Sequence, residues 1–367
     1  MKGSNESSRL SSRTSAVEEL LKITKSGLYC PQGDFYVDPW GKVERAIVTH
    51  AHSDHARPGM KRYLCSDESE RVLRLRVGQN APIDTLPFGQ QIDINGVKVS
   101  LHPAGHIIGS AQVRVEYQGK VAVVSGDYKT QPDRTCTPFE PIRCNTFITE
   151  STFGLPIYQW PLESEIFSQI NRWWRQNQEV GKTSILMGYS LGKTQRALSG
   201  LDPSIGPIIQ HDAIVPYTDA YRMGGVDLPD TLRFSDIPTR FDWPQAMIIA
   251  TPGSNAPPRA GKVQAVSSAF MSGWTAVRRT KKRGSADRGF ILSDHVDWPS
   301  LLDTIAETRA EEILVTHGYT REVVRYLLEQ GLDARELPTH WSDEEPNPVA
   351  SESEPADSEE MGGPESV

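Results

Sequence analysis

Cysteine is scarce in this 367-residue chain: Cys30, Cys65, Cys136 and Cys144 make four, and no two stand in a C-x-x-C pair. That spacing argues against a disulfide framework or a cysteine-held zinc and leaves four reduced thiols. No apolar run approaches the length needed to cross a bilayer, and the opening MKGSNESSRLSSRTS lacks the apolar stretch of a secretory signal. The expectation is a soluble, cytoplasmic protein with no membrane partner. No internal repeat is visible. Histidine is also rare, yet three of the nine, with an aspartate, crowd residues 50–55.

Net charge looks unpromising for a polyanionic partner, at −8, but it is unevenly distributed. The segment 341–367 holds nine Asp or Glu and no Lys or Arg, so the remainder carries a formal +1. That tail is poor in apolar residues, and its composition is that of a disordered, solubilising segment. The whole-chain charge therefore says little about partners.

At 37% hydrophobic residues with eight tryptophans, the chain supports a folded core, and its length exceeds the usual single one. A flexible start covers residues 1–22, with one helical turn near AVEELLKIT. Strand-length apolar runs follow in DFYVDPW, RAIVTH, VKVSLHPAGH, AQVRVEY, KVAVVSGDY and CNTFITEST, with a helix at 66–74. Residues 161–178 place Ile166, Ile170, Trp173 and Trp174 at helical spacing. Strands and helices then alternate through TSILMGY, GKTQRALS, GPIIQH and QAMIIATPG, the pattern of a parallel sheet with flanking helices. The strand GFILSDH, the helix WPSLLDTIAET, the strand EILVTHG and the helix TREVVRYLLEQG complete the chain.

The crowded stretch, IVTHAHSDHARPG, begins where a buried strand should stop. Imidazoles and a carboxylate converging at a strand's carboxyl end are suited to a divalent transition metal. His50 and His52, two apart on extended backbone, point the same way and can share one ion. Asp54 and His55 follow after the chain has begun to turn and face elsewhere, so the spacing points to two ions. Other apolar runs end in ligand-type residues as well: His106, Asp127, Glu150, His295 and His317. Together they could line one edge of a sheet, where ligands gather in open α/β structures.

His50-Ala-His52-Ser-Asp54-His55 resembles the H-x-H-x-D-H signature of the metallo-β-lactamase superfamily. With GHIIGSAQV and LSDHVDW, residues 25–340 resemble its nucleic-acid-cutting β-CASP branch. They are most similar to the bacterial DNA-ligase-associated exonucleases, which are also described as mRNA 3′-end processing factors. The resemblance implies a four-layer αββα fold with an inserted α/β β-CASP domain. Residues 23–155 and 290–340 would form the first domain, 156–289 the insertion, and 341–367 the acidic tail. It implies that His50, His52 and His106 hold one ion and Asp54, His55 and His317 the other, with Asp127 bridging. Asp38 would support the loop without binding metal, with Asp34 as its rival, and His102 fits no slot.

Two divalent ions, zinc by ligand type or manganese, would supply hydroxide for attack on phosphorus. His295 would protonate the departing oxygen, oriented by Glu150. The resemblance favours a DNA exonuclease acting on strand ends alongside a ligase and a helicase. His317 leans the other way, since the branch's RNA-processing members carry histidine there; a non-catalytic scaffold is a further alternative.

For substrate grip, Arg278, Arg279, Lys281, Lys282 and Arg283 form the densest basic run, and Trp274 could stack on a base. Arg175, Lys193 and Arg196 could line the same cleft. GYSLGKT, residues 188–194, is a false nucleotide-binding loop. Only three residues separate its first glycine from Gly-Lys, and Met187 stands where a glycine is needed. It should instead open a helix, and no nucleotide cofactor is expected.

Overall fold

The computed structural model describes residues 20–238, 240–254, 265–277 and 286–338. Six strands form a first sheet in sequence order: β1 (Lys22–Thr24), β2 (Gly27–Cys30), β3 (Phe35–Val37), β4 (Ala46–Ile47), β5 (Tyr63–Ser66) and β6 (Ile83–Leu86). A second sheet takes β7 (Gln91–Ile94), β8 (Val97–Pro103), β9 (Ala111–Tyr117), β10 (Lys120–Val124) and β11 (Thr146–Ser151). It is completed much later in the chain by β18 (Glu312–Gly318) and β19 (Ala334–Glu336).

Alternation along the strands assembles the layers, because successive side chains leave opposite faces. In β10, Ala122 and Val124 point toward the first sheet, where they meet Leu28, Phe35, Val37 and Ile47. Val123 points the other way, into helices α5 (Trp298–Thr308) and α6 (Thr320–Glu329), against Leu301, Ile305 and Leu327. Ile47 faces the inter-sheet core, whereas Ala46 and Val48 face Val72 and Leu73 of α1 (Glu70–Val77). The order is thus helix, sheet, sheet, helix. Each fully buried aliphatic side chain of this kind contributes roughly 1.5–3 kcal/mol.

Between β11 and β18 the chain builds a third sheet, every pairing of which is parallel. Its strands are β12 (Thr183–Met187), β13 (Ile208–Gln210), β14 (Leu232–Arg233), β15 (Met247–Ala250), β16 (Val266–Met271) and β17 (Arg288–Phe290). The short apolar runs of β12, β13 and β15 are buried on both faces, as parallel strands must be. Helices α2 (Glu163–Glu179), α3 (Lys193–Gly200) and α4 (Val215–Met223) accompany them. Trp174, Leu186, Leu198 and Tyr221 share one apolar cluster with Val72 and Leu73, which joins this sheet to the outside of the first one.

Among the described residues no helix is long and apolar enough to cross a membrane. The four cysteines are free, three of them buried. Residues 1–19, the basic run 278–283 and the acidic tail 341–367 lie outside the described residues.

Candidate metal centre

Strand direction collects the histidines. β3, β4 and β5 run parallel in one sheet, and β10, β11 and β18 run parallel in the other. Their carboxyl ends carry His50, Asp127, Glu150 and His317, residues scattered over 268 positions of sequence but gathered on one edge. His50, His52, His106 and Asp127 present donor atoms that all lie within 4.8 Å of one another.

Asp127 is the hub. Its Oδ2 lies 3.5 Å from His50 Nε2, 3.7 Å from His106 Nε2 and 3.6 Å from His55 Nε2. Donors about 2.0–2.2 Å from a tetrahedral zinc are themselves roughly 3.3–3.6 Å apart, so these spacings lie within about 0.1 Å of what shared ions require. The Nε2 atoms of His50 and His55 are buried without a hydrogen-bond partner among the described residues. A buried polar atom left unpaired is costly, and a cation would satisfy both. The donor set therefore fits divalent metal. On the second side His55 Nε2 lies 3.6 Å from Asp54 Oδ2, and the His317 ring centroid lies 5.5 Å from that of His55. His317 adopts φ +55°, a left-handed conformation that few non-glycine residues accept.

Protonation follows from the crowding. Burial, reinforced by neighbouring imidazoles, holds His50 and His106 well below the usual histidine range, so both rings are neutral and ready to ligate. Burial and His55 likewise lower His317 to about 4. Burial lifts Asp127 to about 7, with Glu150 and Asp54 adding to the shift against His55 and His295. His55 goes the other way: burial is outweighed by Asp54, Asp127 and Asp38, which hold its pKa well above the ordinary value. A cation between these carboxylates would take over the role of that proton.

Glu150 and His295 form a separate pair beside the hub. Glu150 is buried and accepts from His295 Nδ1 at 2.9 Å and from the Tyr128 N–H at 2.8 Å. Burial pulls His295 down, but Glu150 and Asp127 outweigh it and raise its pKa to about 9. Asp127, Glu150 and His295 also form a convergent donor set. Both Glu150 oxygens face the His295 ring, however, which favours an acid–carboxylate pair over a third ion site.

Asp38 supports the loop from outside. Its carboxylate accepts the Thr49 N–H at 2.8 Å, the Thr49 hydroxyl at 2.6 Å and His55 Nδ1–H at 2.7 Å. Thr49, not anticipated from sequence, connects this brace to the His50 ring at 3.1 Å. Asp34 instead accepts from Tyr29 on the surface, and His102 pairs with Ser100, both away from the hub.

The cleft cations need correcting. Lys193 and Arg196 are 3% and 2% exposed and paired with Asp294, so they do not line an open cleft. Arg175 pairs with Asp202 at 2.6 Å on the surface. Trp274 is also buried, packed against Phe153, Tyr158 and Tyr319, because the short helical turn at Gly273–Ala276 points it inward. Arg278, Arg279, Lys281, Lys282 and Arg283 lie outside the described residues. The false nucleotide loop opens α3 as expected, and the side chain of Gln195 accepts the N–H of Gly192 there.

No family model matches the chain. Over 310 residues, 84% of its length, it is 31% identical to a protein of Opitutus terrae named probable DNA ligase, covering 30% of that protein. Over 128 residues, 33% of its length, it is 30% identical to endoribonuclease YSH1 of Saccharomyces cerevisiae, covering 15% of that protein. The chain thus spans less than a third of the length of these relatives. A crystal structure of a protein of unknown function from Enterococcus faecalis V583 shares the fold. The TM-score is 0.55 over 80% of this chain and 79% of that one, at 11% identity.

Proposed function

The chain belongs to the β-CASP branch of the metallo-β-lactamase superfamily, and from that premise we propose that it is a metal-dependent phosphodiesterase acting on nucleic acid. The observation that carries this reading is the convergence of three imidazole Nε2 atoms on Asp127 Oδ2 at 3.5–3.7 Å, with a histidine–glutamate pair alongside. His50, His52, His106 and Asp127 would hold one ion, and Asp54, His55, His317 and Asp127 the other. Divalent ions there supply Lewis acidity toward a phosphodiester and lower the pKa of water.

The protein's own groups account for the rest. Glu150 occupies Nδ1 of His295, which leaves Nε2 to deliver a proton to the departing oxygen. Without metal, Glu150 and Asp127 raise the ring's pKa to about 9, and Glu150 continues to favour its protonated form when ions are bound. Asp38 keeps His55 in the tautomer whose Nε2 faces the hub. Residues 23–155 and 290–340 are assigned to the metallo-β-lactamase unit and 156–289 to the insertion, an assignment supported by the position of the third sheet in the chain.

The favoured substrate is a DNA end, processed by exonucleolytic hydrolysis alongside a ligase. The support is the name of the Opitutus terrae relative, probable DNA ligase. RNA is the second reading, favoured by a histidine at position 317 and by the name of the yeast relative. One gel separates them: end-labelled DNA and RNA, single- and double-stranded, with zinc or manganese, and with Asp54→Ala as control. DNA shortened stepwise with RNA spared supports the first reading. RNA cut with DNA intact replaces it with the second, and no cleavage of either points to a scaffold.

A further inference from the structure

We propose that residues 191–196, the turn into α3, position two of the three histidines at the first metal, so that the third sheet's unit sets the affinity of that site. The inference rests on the metal site proposed above. The segment begins in the last four residues of the false nucleotide loop, Leu191 to Thr194, which the chemistry of the hub leaves unexplained.

A metal-binding imidazole needs its other ring nitrogen held by an acceptor, which fixes the tautomer and the ring's direction. His52 and His106 turn toward each other across the hub, His106 Nε2 lying 3.1 Å from His52 Nδ1. Their outer nitrogens find carbonyl oxygens. His52 Nε2 faces the Leu191 carbonyl at 3.3 Å, and His106 Nδ1 faces the Asp294 carbonyl at 2.7 Å. A carbonyl only accepts, so both outer nitrogens carry hydrogen and both inner ones offer lone pairs.

Leu191 belongs to the turn itself. Asp294 belongs to the segment leading out of β17, and the turn grips it. Lys193 Nζ stands 3.7 Å from Asp294 Oδ2, and Arg196 Nη1 stands 3.2 Å from Asp294 Oδ1. The same Nη1 donates to the Ser293 carbonyl. Arg196 is anchored from behind by Glu163 at 2.6 Å and Asp133 at 3.2 Å. Gly192 brings the turn into direct contact with the metal loops. Its φ is +89°, and a Cβ there would lie 2.4 Å from Ile107 Cγ2, beside His106, and 3.7 Å from His52 Nε2.

The remaining ligands are held differently. His50 rests on Thr49, His55 on Asp38 and His317 on Thr316, all contributed by the first two sheets and their loops. Loosening the turn should therefore weaken one metal site and spare the other.

The test is titration of the metal-stripped full chain with Zn2+ against a chromophoric chelator, for wild type, Lys193→Met, Arg196→Met and Arg196→Lys. One of the two affinities should fall about 10–100-fold in the methionine variants, the usual effect of removing a ligand's supporting partner. The other affinity should stay unchanged, and Arg196→Lys should recover part of the loss. A general loss of structure would instead weaken both sites and show no rescue. Thermal melts identify variants that fold; should Arg196→Met not fold, Lys193→Met and Gly192→Ala decide. Folded variants with two wild-type affinities would overturn the positioning role while leaving the metal site intact. A wild type that binds no zinc would overturn both.

Discussion

At the scale of single residues, the role proposed for His295 is the one that separates chemistry from metal binding. Its ring contacts Glu150 and lies 3.9 Å from Asp127 Oδ2. His295→Gln should lower kcat by about 10²–10⁴-fold, the range for a general acid, with two zinc ions per chain retained by elemental analysis. Asp54→Ala should keep the fold, lose metal and abolish cleavage; retained cleavage would exclude the two-metal reading. Protonation of His295 also enters stability. Its folded pKa of about 9 lies above the ordinary 6.5, so the extra stability is complete below pH 6.5 and is lost as pH rises through about 9. In metal-stripped protein, the Tm gap between wild type and Glu150→Gln should close between those values. A gap independent of pH would show that the pair carries no charge. These residues were legible because ligand types at strand ends form a local pattern. Thr49 was not, since a threonine ending a strand carries no chemical signal until Asp38 is seen 2.6 Å away.

At the scale of elements, the helices were more legible than the short strands. The run 161–178 corresponds to α2, where Ile166, Ile170, Trp173 and Trp174 are buried along one face. The helix expected over 66–74 begins only at Glu70. Ser66 ends β5 and donates its hydroxyl to the Gly109 carbonyl, while Ser69 N–H bonds back to Ser66 in a turn. β6 and β7 are not legible in the sequence because their exposed residues dilute the apolar pattern, and in β16 Ser267 and Ser268 do the same. Trp174 is fully buried against the third sheet and donates to the Gln245 carbonyl. Trp174→Ala should cost about 3–5 kcal/mol, read from the denaturant midpoint; a loss below about 1 kcal/mol would mean that α2 is not held by this face.

At the scale of the molecule, partner choice depends on where charge sits. Apart from the acidic tail the chain is close to neutral, and its densest cationic run lies at 278–283. If that run grips phosphates, neutralising Arg278, Arg279, Lys281, Lys282 and Arg283 should flatten the salt dependence of nucleic-acid binding. The slope should fall by roughly one for each phosphate that is no longer neutralised, and an unchanged slope would mean that other cations hold the backbone. The signature H-x-H-x-D-H, the β-CASP resemblance and the α/β alternation were properties of the sequence by itself. Each is a short-range pattern of residue type, spacing or periodicity, which survives without knowledge of neighbours. What Lys193 and Arg196 do could be decided only by the tertiary structure. As sequence they are two cations at a helix start, open to a substrate. Their partner Asp294 lies 98 positions beyond Arg196, and the parallel sheet between them brings the two together. A buried charge is tolerated only when paired, so burial and pairing had to be seen at once to turn a substrate contact into a brace.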